Sequence, residues 1–420
     1  MKIAILGSGG REHAIAYQVS KSPKIKKLYC IPGNAGTSFI AENVSLDINN
    51  FNEISKFVEK FKIDLVIVGP EKPLVEGIVD FLIKKNIKVF GPNKKVSQLE
   101  GSKIFTKQIC EKYKIPTAKF GIFNSKSKAI KFLENAKMPI VVKADGLASG
   151  KGVYICDNLE SSKKAVEEIF HGKFGIAKQL LIEEFLEGDE MSYFVLSDGK
   201  TFKSFNTAQD HKRVGEGDLG KNTGGMGAYS PSDLINSELE KKIVDKIVKP
   251  TFKAIHEIGE TYTGFLYVGL MVKKNEPYLI EFNVRMGDPE CQTILPLLNS
   301  DFLELILSCC NKNLDKQNIK WHNKKSLCIV LCSKGYPDDY KKNVEIKNLD
   351  NHKEDINNFI FHAGTKIYNN KIQAIGGRVL NFVSISEDFK NSRNLAMEKI
   401  DKLNWSNGFY RKDIGHKVID

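Results

Sequence analysis

The stretch YLIEFNVRMGDPECQ, Tyr278 to Gln292, poses the central question of this chain. Leu279, Ile280, Phe282 and Val284 predict a strand, yet Glu281, Asn283 and Arg285 interrupt it at every second position. Alternate residues of a strand point to opposite faces, so these three are expected to share one face. A solvated polar face would account for the alternation, but not for a carboxylate, an amide oxygen and a guanidinium in place of Lys or Thr. Mg²⁺ takes oxygen ligands, commonly one or two carboxylates together with substrate phosphates. Glu281 and Asn283 are therefore candidate ligands for Mg²⁺ or Mn²⁺. The preceding strand, TGFLYVGLMV, offers no acid, so such a metal would lean on nucleotide phosphates, as Mg-ATP does. Arg285 presents a planar fork that can grip a small carboxylate with two hydrogen bonds. The Gly-Asp-Pro turn that follows is expected to aim Asp288 back at the same place.

Upstream lie features that suit a nucleotide. In IVVKADG, Lys143 sits inside an apolar strand, and a buried ammonium needs an anionic partner. The loop DGLASGKG, Asp145 to Gly152, resembles a phosphate-binding Walker loop but fails its spacing. Gly146 and Gly150 enclose three residues rather than four, Gly152 follows Lys151, and a strand comes next instead of a helix. It reads as a glycine-rich hairpin tip, either a flap whose N–H groups cover phosphates or a plain flexible turn. Lys103 opens a helix at the positive end of its dipole, which a nearby phosphate would reconcile and solvent exposure would make ordinary. In LLIEEFLEGDE, an apolar slot around Glu183, Glu184, Phe185 and Leu186 followed by Glu190 suits adenine and ribose; an amphipathic strand with solvated acids is the plainer alternative.

The first hundred residues alternate short strands and helices, which predicts a doubly wound parallel sheet. ILGSGGREHA follows a strand and opens a helix, but the third glycine of a dinucleotide fingerprint is replaced by Glu12, and no acid ends the second strand. Binding of NAD or FAD is disfavoured on both counts. Gly9 and Gly10 instead offer N–H groups at a helix N-terminus, and Glu71 could hold sugar hydroxyls, unless these are ordinary turns. From Gly101 the pattern becomes a small α+β module. It continues through a polar glycine-rich loop from Asp210 to Ser230, a helix from about Ser237 to Ile258 and two adjacent strands. Short strands dominate again from Ser326.

Bulk composition narrows the function classes. With 420 residues the chain has room for two to four domains. No apolar run approaches the roughly 20 residues that span a bilayer. MKIAILGSGG reads as a first strand rather than a signal peptide, so a cytoplasmic protein is expected, with no membrane partner. The eight cysteines show no Cys-x-x-Cys pair and sit in apolar company, as expected for reduced core thiols. The net charge of +12 is mostly Lys spread along the chain, with no nucleic-acid motif; it suits a phosphorylated small molecule better than nucleic acid.

Across nearly its whole length the sequence resembles the phosphoribosylamine–glycine ligase family, also called glycinamide ribonucleotide synthetases, of the ATP-grasp superfamily. The resemblance rests on GSGGREHA, PGNAGT, VGPEKPLV, LEGSKIFTK, VVKADGLASGKGV, IEEFLEGDE, QDHKRVGEGDLGKNTGGMGAYSP, TGFLYVGLMV, IEFNVRMGDPECQ, FHAGTK, GGRV and RKDIG, in that order. Met286 stands where the family usually has Phe, and Cys291 where it has Thr. The resemblance implies an α/β chain of three parts: a substrate-binding N-terminal domain of residues 1–101, an ATP-grasp domain of 102–322 with a mobile flap subdomain at about 118–190, and a β-rich domain of 323–420. It implies joining of glycine to 5-phosphoribosylamine through glycyl phosphate, with ATP converted to ADP and phosphate. By the same resemblance ATP meets Lys103, Lys143, Gly150, Lys151, Gly152, Glu183, Glu184, Phe185, Leu186 and Glu190, and the metal meets Glu281 and Asn283. Catalysis falls to Lys143, Arg285 and Asp288. The substrates meet Gly9, Gly10, Glu71, Arg285, Asp288, Lys366 and Arg378. His211 is either a proton acceptor for the attacking amine or a structural histidine. A monomer is expected. Another ATP-grasp ligase or a non-catalytic nucleotide sensor are the alternatives, the sensor disfavoured by the intact Glu281, Asn283 and Arg285.

Overall fold

Residues 1–147, 152–349 and 355–419 are described by the computed structural model. The N-terminal strands form a five-stranded parallel sheet in the spatial order Glu42–Asn43, Lys27–Pro32, Lys2–Gly7, Leu65–Val68, Val89–Phe90. Ile3 to Leu6 and Leu65 to Val68 are buried, as continuous apolar strands of a sheet covered on both faces should be. The order reverses around Lys2–Gly7, so the loops after that strand and its neighbours line a crevice at the strands' carboxyl ends.

A second, four-stranded antiparallel sheet runs Phe120–Phe123, Leu180–Glu184, Ile140–Ala144, Val153–Cys156. Helices Lys126–Leu133 and Leu159–Phe170 cover it, begun by Ser125 and Asn158, whose side chains accept backbone N–H bonds. Leu133, Val142, Val166, Ile169 and Ile182 belong to an apolar cluster of this unit alone. Gly150 and Lys151 lie outside the described residues. Gly152 is buried, and its carbonyl accepts from the Ala144 N–H at 2.8 Å, closing the base of the hairpin.

The rest of the chain is built on one large sheet. From one edge it runs Glu276–Asn283, Thr263–Lys273, Asp189–Asp198, Phe202–Asp210, Gly227–Ser230, Lys325–Ser333, Arg378–Ser386, Asn358–His362. The short buried strand Gly227–Ser230 pairs with Gln209 and Asp210 on one side and with Ser326 to Ile329 on the other. Part of the expected Asp210–Ser230 loop is thus the seam that makes the C-terminal strands continuous with the central ones. Arg213–Gly215 and Leu219–Asn222 within the same stretch form a small separate hairpin. The helix expected from Ser237 to Ile258 is present, with a wide π turn at Val244–Val248. Pro250 lacks an N–H and its ring crowds the carbonyl four residues back, which a widened turn accommodates. All eight cysteines are free and all but Cys310 are buried. Among the described residues no helix is long and apolar enough to cross a membrane.

Candidate active site

At the mouth of the parallel sheet, Glu12 explains the glycine pattern around it. A Cβ on Gly7 would lie 2.4 Å from Glu12 Cγ, and one on Gly69 would lie 2.2 Å from Glu12 Oε1. The carboxylate that replaces a fingerprint glycine fills the space between two strand ends, and Gly7, at φ +126°, and Gly69 make room for it. Glu12 Oε2 accepts the Gly9 N–H at 2.7 Å and Oε1 pairs with Arg11 Nε at 2.6 Å. The helix N-terminus is therefore met by protein anions, since Asp288 Oδ2 also accepts the Arg11 N–H at 3.3 Å. Gly10 also has a packing role. Its α-carbon packs so closely on Asn381 and Gln292 that a Cβ would sit 2.4 and 2.5 Å from their amide nitrogens. It brings the N-terminal helix against the C-terminal strands.

Arg285 lies just past the end of strand Glu276–Asn283. Its Nε is 3.2 Å from Glu71 Oε2 and its Nη2 2.7 Å from Glu100 Oε1. Glu100 also accepts the Val284 N–H at 2.8 Å, so one carboxylate fixes both the backbone before Arg285 and its guanidinium. The two acids on this guanidinium are driven apart. Arg285 overrides burial to pull the Glu71 carboxyl down to about 2. For Glu100 burial dominates over Arg285, and the charge of Glu71 adds to it, lifting the carboxyl to about 7. Arg11 braces the same turn from the N-terminal domain, with Nη1 donating to the Met286 carbonyl at 3.1 Å. Asp288 accepts from Gln292 Nε2 at 2.7 Å, and its Oδ1 lies 3.3 Å from Arg378 Nη1.

Glu281 and Asn283 are brought together, with Asn283 Nδ2 donating to Glu281 Oε1 at 3.4 Å. Strict alternation is broken one residue earlier. The register slips between Gly269 and Leu270, leaving Ile280 as an extra residue beside Glu281. A bulge of this kind re-aims side chains, and here Ile280 and Glu281 both line a recess with Glu190, Asp210, Lys212 and Tyr267. Burial opposes the charge on Glu281, but Lys212, Lys143 and Lys103 outweigh it and hold the carboxyl below its usual range. Among the described residues no group of three or more His, Cys, Asp or Glu side chains could enclose a metal by itself. One carboxylate and one amide oxygen next to three lysines fit an ion carried in on phosphates rather than a closed protein cage.

The expected ATP residues divide into two groups. Lys143 and Lys107 both meet Glu183, at 2.6 and 2.9 Å, and all three side chains are buried. Val141 opposes Glu183 and Lys143 opposes Leu181 across the sheet, which puts Lys143 and Glu183 diagonally on one face. Glu183, expected at the nucleotide, here serves as counter-ion to two lysines, leaving one positive charge in excess. Lys103 donates to the Gly146 carbonyl at 2.9 Å, and burial holds its ammonium below the usual range although Glu281 opposes this. The N-terminus of its helix is met by Asp145, which accepts from Ser102 Oγ at 3.1 Å and from the Ile104 N–H at 3.2 Å. In the second group, Glu184 accepts the Lys119 N–H at 2.9 Å, Phe185 is exposed, and Leu186 lies in the segment joining the small sheet to the large one. Glu190 pairs with Lys212 at 2.7 Å.

His211 is placed as a structural histidine. Its Nδ1 is 3.3 Å from the Gly227 carbonyl and its Nε2 accepts the Gly415 N–H at 3.1 Å. Burial, with Arg411 and His416 adding to it, lowers its pKa to about 4. With both ring nitrogens engaged by the backbone, His211 is not poised to take a proton from an amine. Arg378 donates to the Asp288 carbonyl at 2.7 Å, whereas Lys366 lies over the Tyr368 ring, 5.4 Å from its centroid. Reading the sequence missed Glu100, Arg11, Lys107 and Lys212. Lys107 carried a signal, since it follows Lys103 by four residues and so shares its helix face. Glu100 carried none, because nothing local marks an acid as the partner of an arginine 185 positions away.

Three family models cover this architecture in order: phosphoribosylglycinamide synthetase N domain at residues 1–100, ATP-grasp (A) domain at 101–291 and C domain at 326–417. The chain belongs to the phosphoribosylglycinamide synthetase family. It is 42% identical to the phosphoribosylamine–glycine ligase of Brucella melitensis over 100% of this chain and 99% of that protein. With the enzyme of the same name from Caldanaerobacter subterraneus it shares 44% identity over 99% of each. The crystal structure of the Thermotoga maritima phosphoribosylamine–glycine ligase superposes with a TM-score of 0.87 at 33% identity, covering 99% of this chain and all of that one. Biotin carboxylase from Campylobacter jejuni, at 18% identity and a TM-score of 0.73, shares the fold. For this synthetase-family chain the alignment from end to end extends to all three parts, including the C-terminal strands that supply Arg378.

Proposed function

We propose that the protein joins glycine to 5-phosphoribosylamine with conversion of ATP to ADP and phosphate, forming glycinamide ribonucleotide, the glycine-ligation step of purine biosynthesis. The observation that carries this reading is the convergence of three kinds of group at one place: a lysine cluster with surplus positive charge, the oxygen pair Glu281 and Asn283, and a guanidinium braced from both sides. Lys103, Lys107 and Lys143 neutralise ATP phosphates, with Phe185 and Leu186 beside the base. Glu281 and Asn283 would hold Mg²⁺ or Mn²⁺, which supplies charge neutralisation on the phosphates when bound.

Arg285 receives the glycine carboxylate by exchanging it for Glu71 or Glu100. Glu100 suits such an exchange, because a carboxyl of pKa about 7 gives up its charge readily when another anion arrives. Asp210 and Glu290 supply carboxyl oxygens for the ammonium of the amino acid. Glu290 is steadied by Ser192 Oγ at 3.0 Å, and burial reinforced by the Glu290 charge pushes the Asp210 carboxyl well above its usual range. The carboxylate so oriented attacks the γ-phosphate to give glycyl phosphate, and the sugar amine then attacks the acyl carbon with loss of phosphate. The residues act mainly by positioning and charge neutralisation. Arg378 and Lys366 receive the sugar phosphate from the C-terminal side, with Asp288 orienting Arg378. A cytoplasmic monomer goes with this reading.

Phosphate release from Mg-ATP tests it. Release should require both glycine and freshly generated phosphoribosylamine and should stop when the metal is chelated. Release that persists without glycine, or never depends on the sugar amine, would mean that the substrates are wrongly assigned.

A further inference from the structure

Lys212 stands in the recess beside Glu281 and Glu190, and the hairpin directly after it meets the rest of the fold at few points besides Val214 on the core and the exposed pair Lys221–Asp338 at 2.7 Å. Leu219 to Asn222 are exposed, and its two strands form a sheet of their own. An isolated two-stranded hairpin is marginal in water, so its position must be imposed from outside. The C-terminal stretch RKDIGHK, Arg411 to Lys417, does so. Arg411 is only 1% exposed and is among the largest fully buried side chains. Its Nη1 donates to the Arg213 carbonyl at 3.0 Å and to Asp218 Oδ1 at 2.8 Å, while Nε and Nη2 take Asp413 as a fork at 2.8 and 2.7 Å. Asp413 Oδ2 in turn accepts the Gly217 N–H at 2.8 Å, and Glu216 accepts the Lys412 N–H at 3.1 Å. The Gly415 N–H holds His211, the residue before Lys212, at 3.1 Å. Lys417 reaches Asp189, the residue before Glu190, at 2.9 Å.

We infer that Arg411 is a positioning residue, which clamps the Arg213–Asn222 hairpin to the C-terminal segment and thereby sets Lys212 against Glu190 and Glu281. Its effect on turnover rests on the ligase reading above, in which Glu281, the neighbour of Lys212, serves the nucleotide, but the clamp itself does not. A planar fork with four bonds to two elements has the rigidity the task needs; a lysine in its place would reach only part of the set.

The test uses the full-length protein with Asp218→Ala, which removes the hairpin end of the clamp and leaves the Arg411–Asp413 fork intact, alongside Arg411→Met. Trypsin cleavage after Arg213 and Lys221 reports the clamp directly, and Asp218→Ala should speed it. The turnover number should fall at least about ten-fold, toward the roughly 100-fold loss that an ångström-sized misplacement can cause, with the thermal midpoint moved by less than about 3 °C. The decisive readout is Asp218→Ala combined with Lys212→Gln. The double variant should be no slower than Lys212→Gln alone, because the clamp acts through that lysine. Additive losses, or full turnover in Asp218→Ala, would overturn the inference. Cleavage that stays slow in Asp218→Ala would also overturn it. If Arg411→Met does not fold, Asp218→Ala still decides. If the unaltered protein shows no ligation, the functional reading fails, and the cleavage comparison judges the clamp by itself.

Discussion

Two charge clusters, one half-buried around Arg285 and one buried around Glu183, lie within electrostatic reach of Glu281 and are built on opposite principles. Around Arg285 there are more acids than the guanidinium needs: Glu71 and Glu100 both bind it, and their carboxyls separate to about 2 and about 7. Around Glu183 there are too few acids, with Lys107 and Lys143 sharing one carboxylate. The first cluster can exchange one anion for another without stranding a charge. The second attracts an additional anion, since unpaired buried charge is costly and a phosphate relieves it. On the proposed reading, an amino-acid carboxylate and a triphosphate are told apart less by individual contacts than by the local balance of charge.

The largest effect should come from breaking the acid-rich side. Arg285→Lys keeps the charge but loses the fork, and kcat/KM for glycine should fall about 100- to 1,000-fold, measured by phosphate release at varied glycine. A fall of less than about five-fold would place glycine elsewhere. On the lysine-rich side, Glu183→Gln leaves two buried ammonium groups without a counter-ion and should destabilise the protein by about 3–5 kcal/mol in urea unfolding, with Mg-ATP restoring part of the loss. No recovery with Mg-ATP would contradict a phosphate site there.

The two carboxyls on Arg285 make opposite contributions to pH dependence. Glu100 has a raised pKa, so its stabilisation is complete below the ordinary carboxylate value of 4.5 and is lost as pH rises through about 7. Glu71 has a lowered pKa, so its contribution is present above 4.5 and is lost as pH falls toward about 2. Replacing Glu100 by Gln should therefore flatten the decline of unfolding free energy between pH 4.5 and about 7, by up to about 3 kcal/mol across that window. An unchanged slope would show that the Glu100 carboxyl is already ionised there. The smallest effect belongs to a position outside both clusters. Cys291 is fully buried with its Sγ 3.8 Å from the Arg11 carbonyl, so Cys291→Thr should change stability by less than about 1 kcal/mol and turnover by less than about two-fold.

Much of this site could be read along the chain. The alternation of Glu281, Asn283 and Arg285 and the lysine in an apolar strand at 143 are anomalies of local pattern, visible without a fold. The parallel N-terminal sheet followed from its spaced apolar runs, and the third residue that a dinucleotide site requires was visibly wrong at Glu12. Harder to see was the four-residue strand Gly227–Ser230. Its residues look like loop, and only pairing on both sides makes them a strand. The bulge at Ile280 was equally hidden, because it depends on the register with Thr263–Lys273.

Residue order therefore settled which unusual groups exist and on which elements they ride, because helical and strand periods are short-range properties. The partners of those groups were settled by packing. Glu71 and Glu100 reach Arg285 across 214 and 185 positions, Arg411 reaches Asp218 across 193, and Glu183 pairs with two lysines. A charge marks its need for compensation locally, but the group that compensates it is whichever one the folded chain leaves within about 3 Å, the reach of a hydrogen bond.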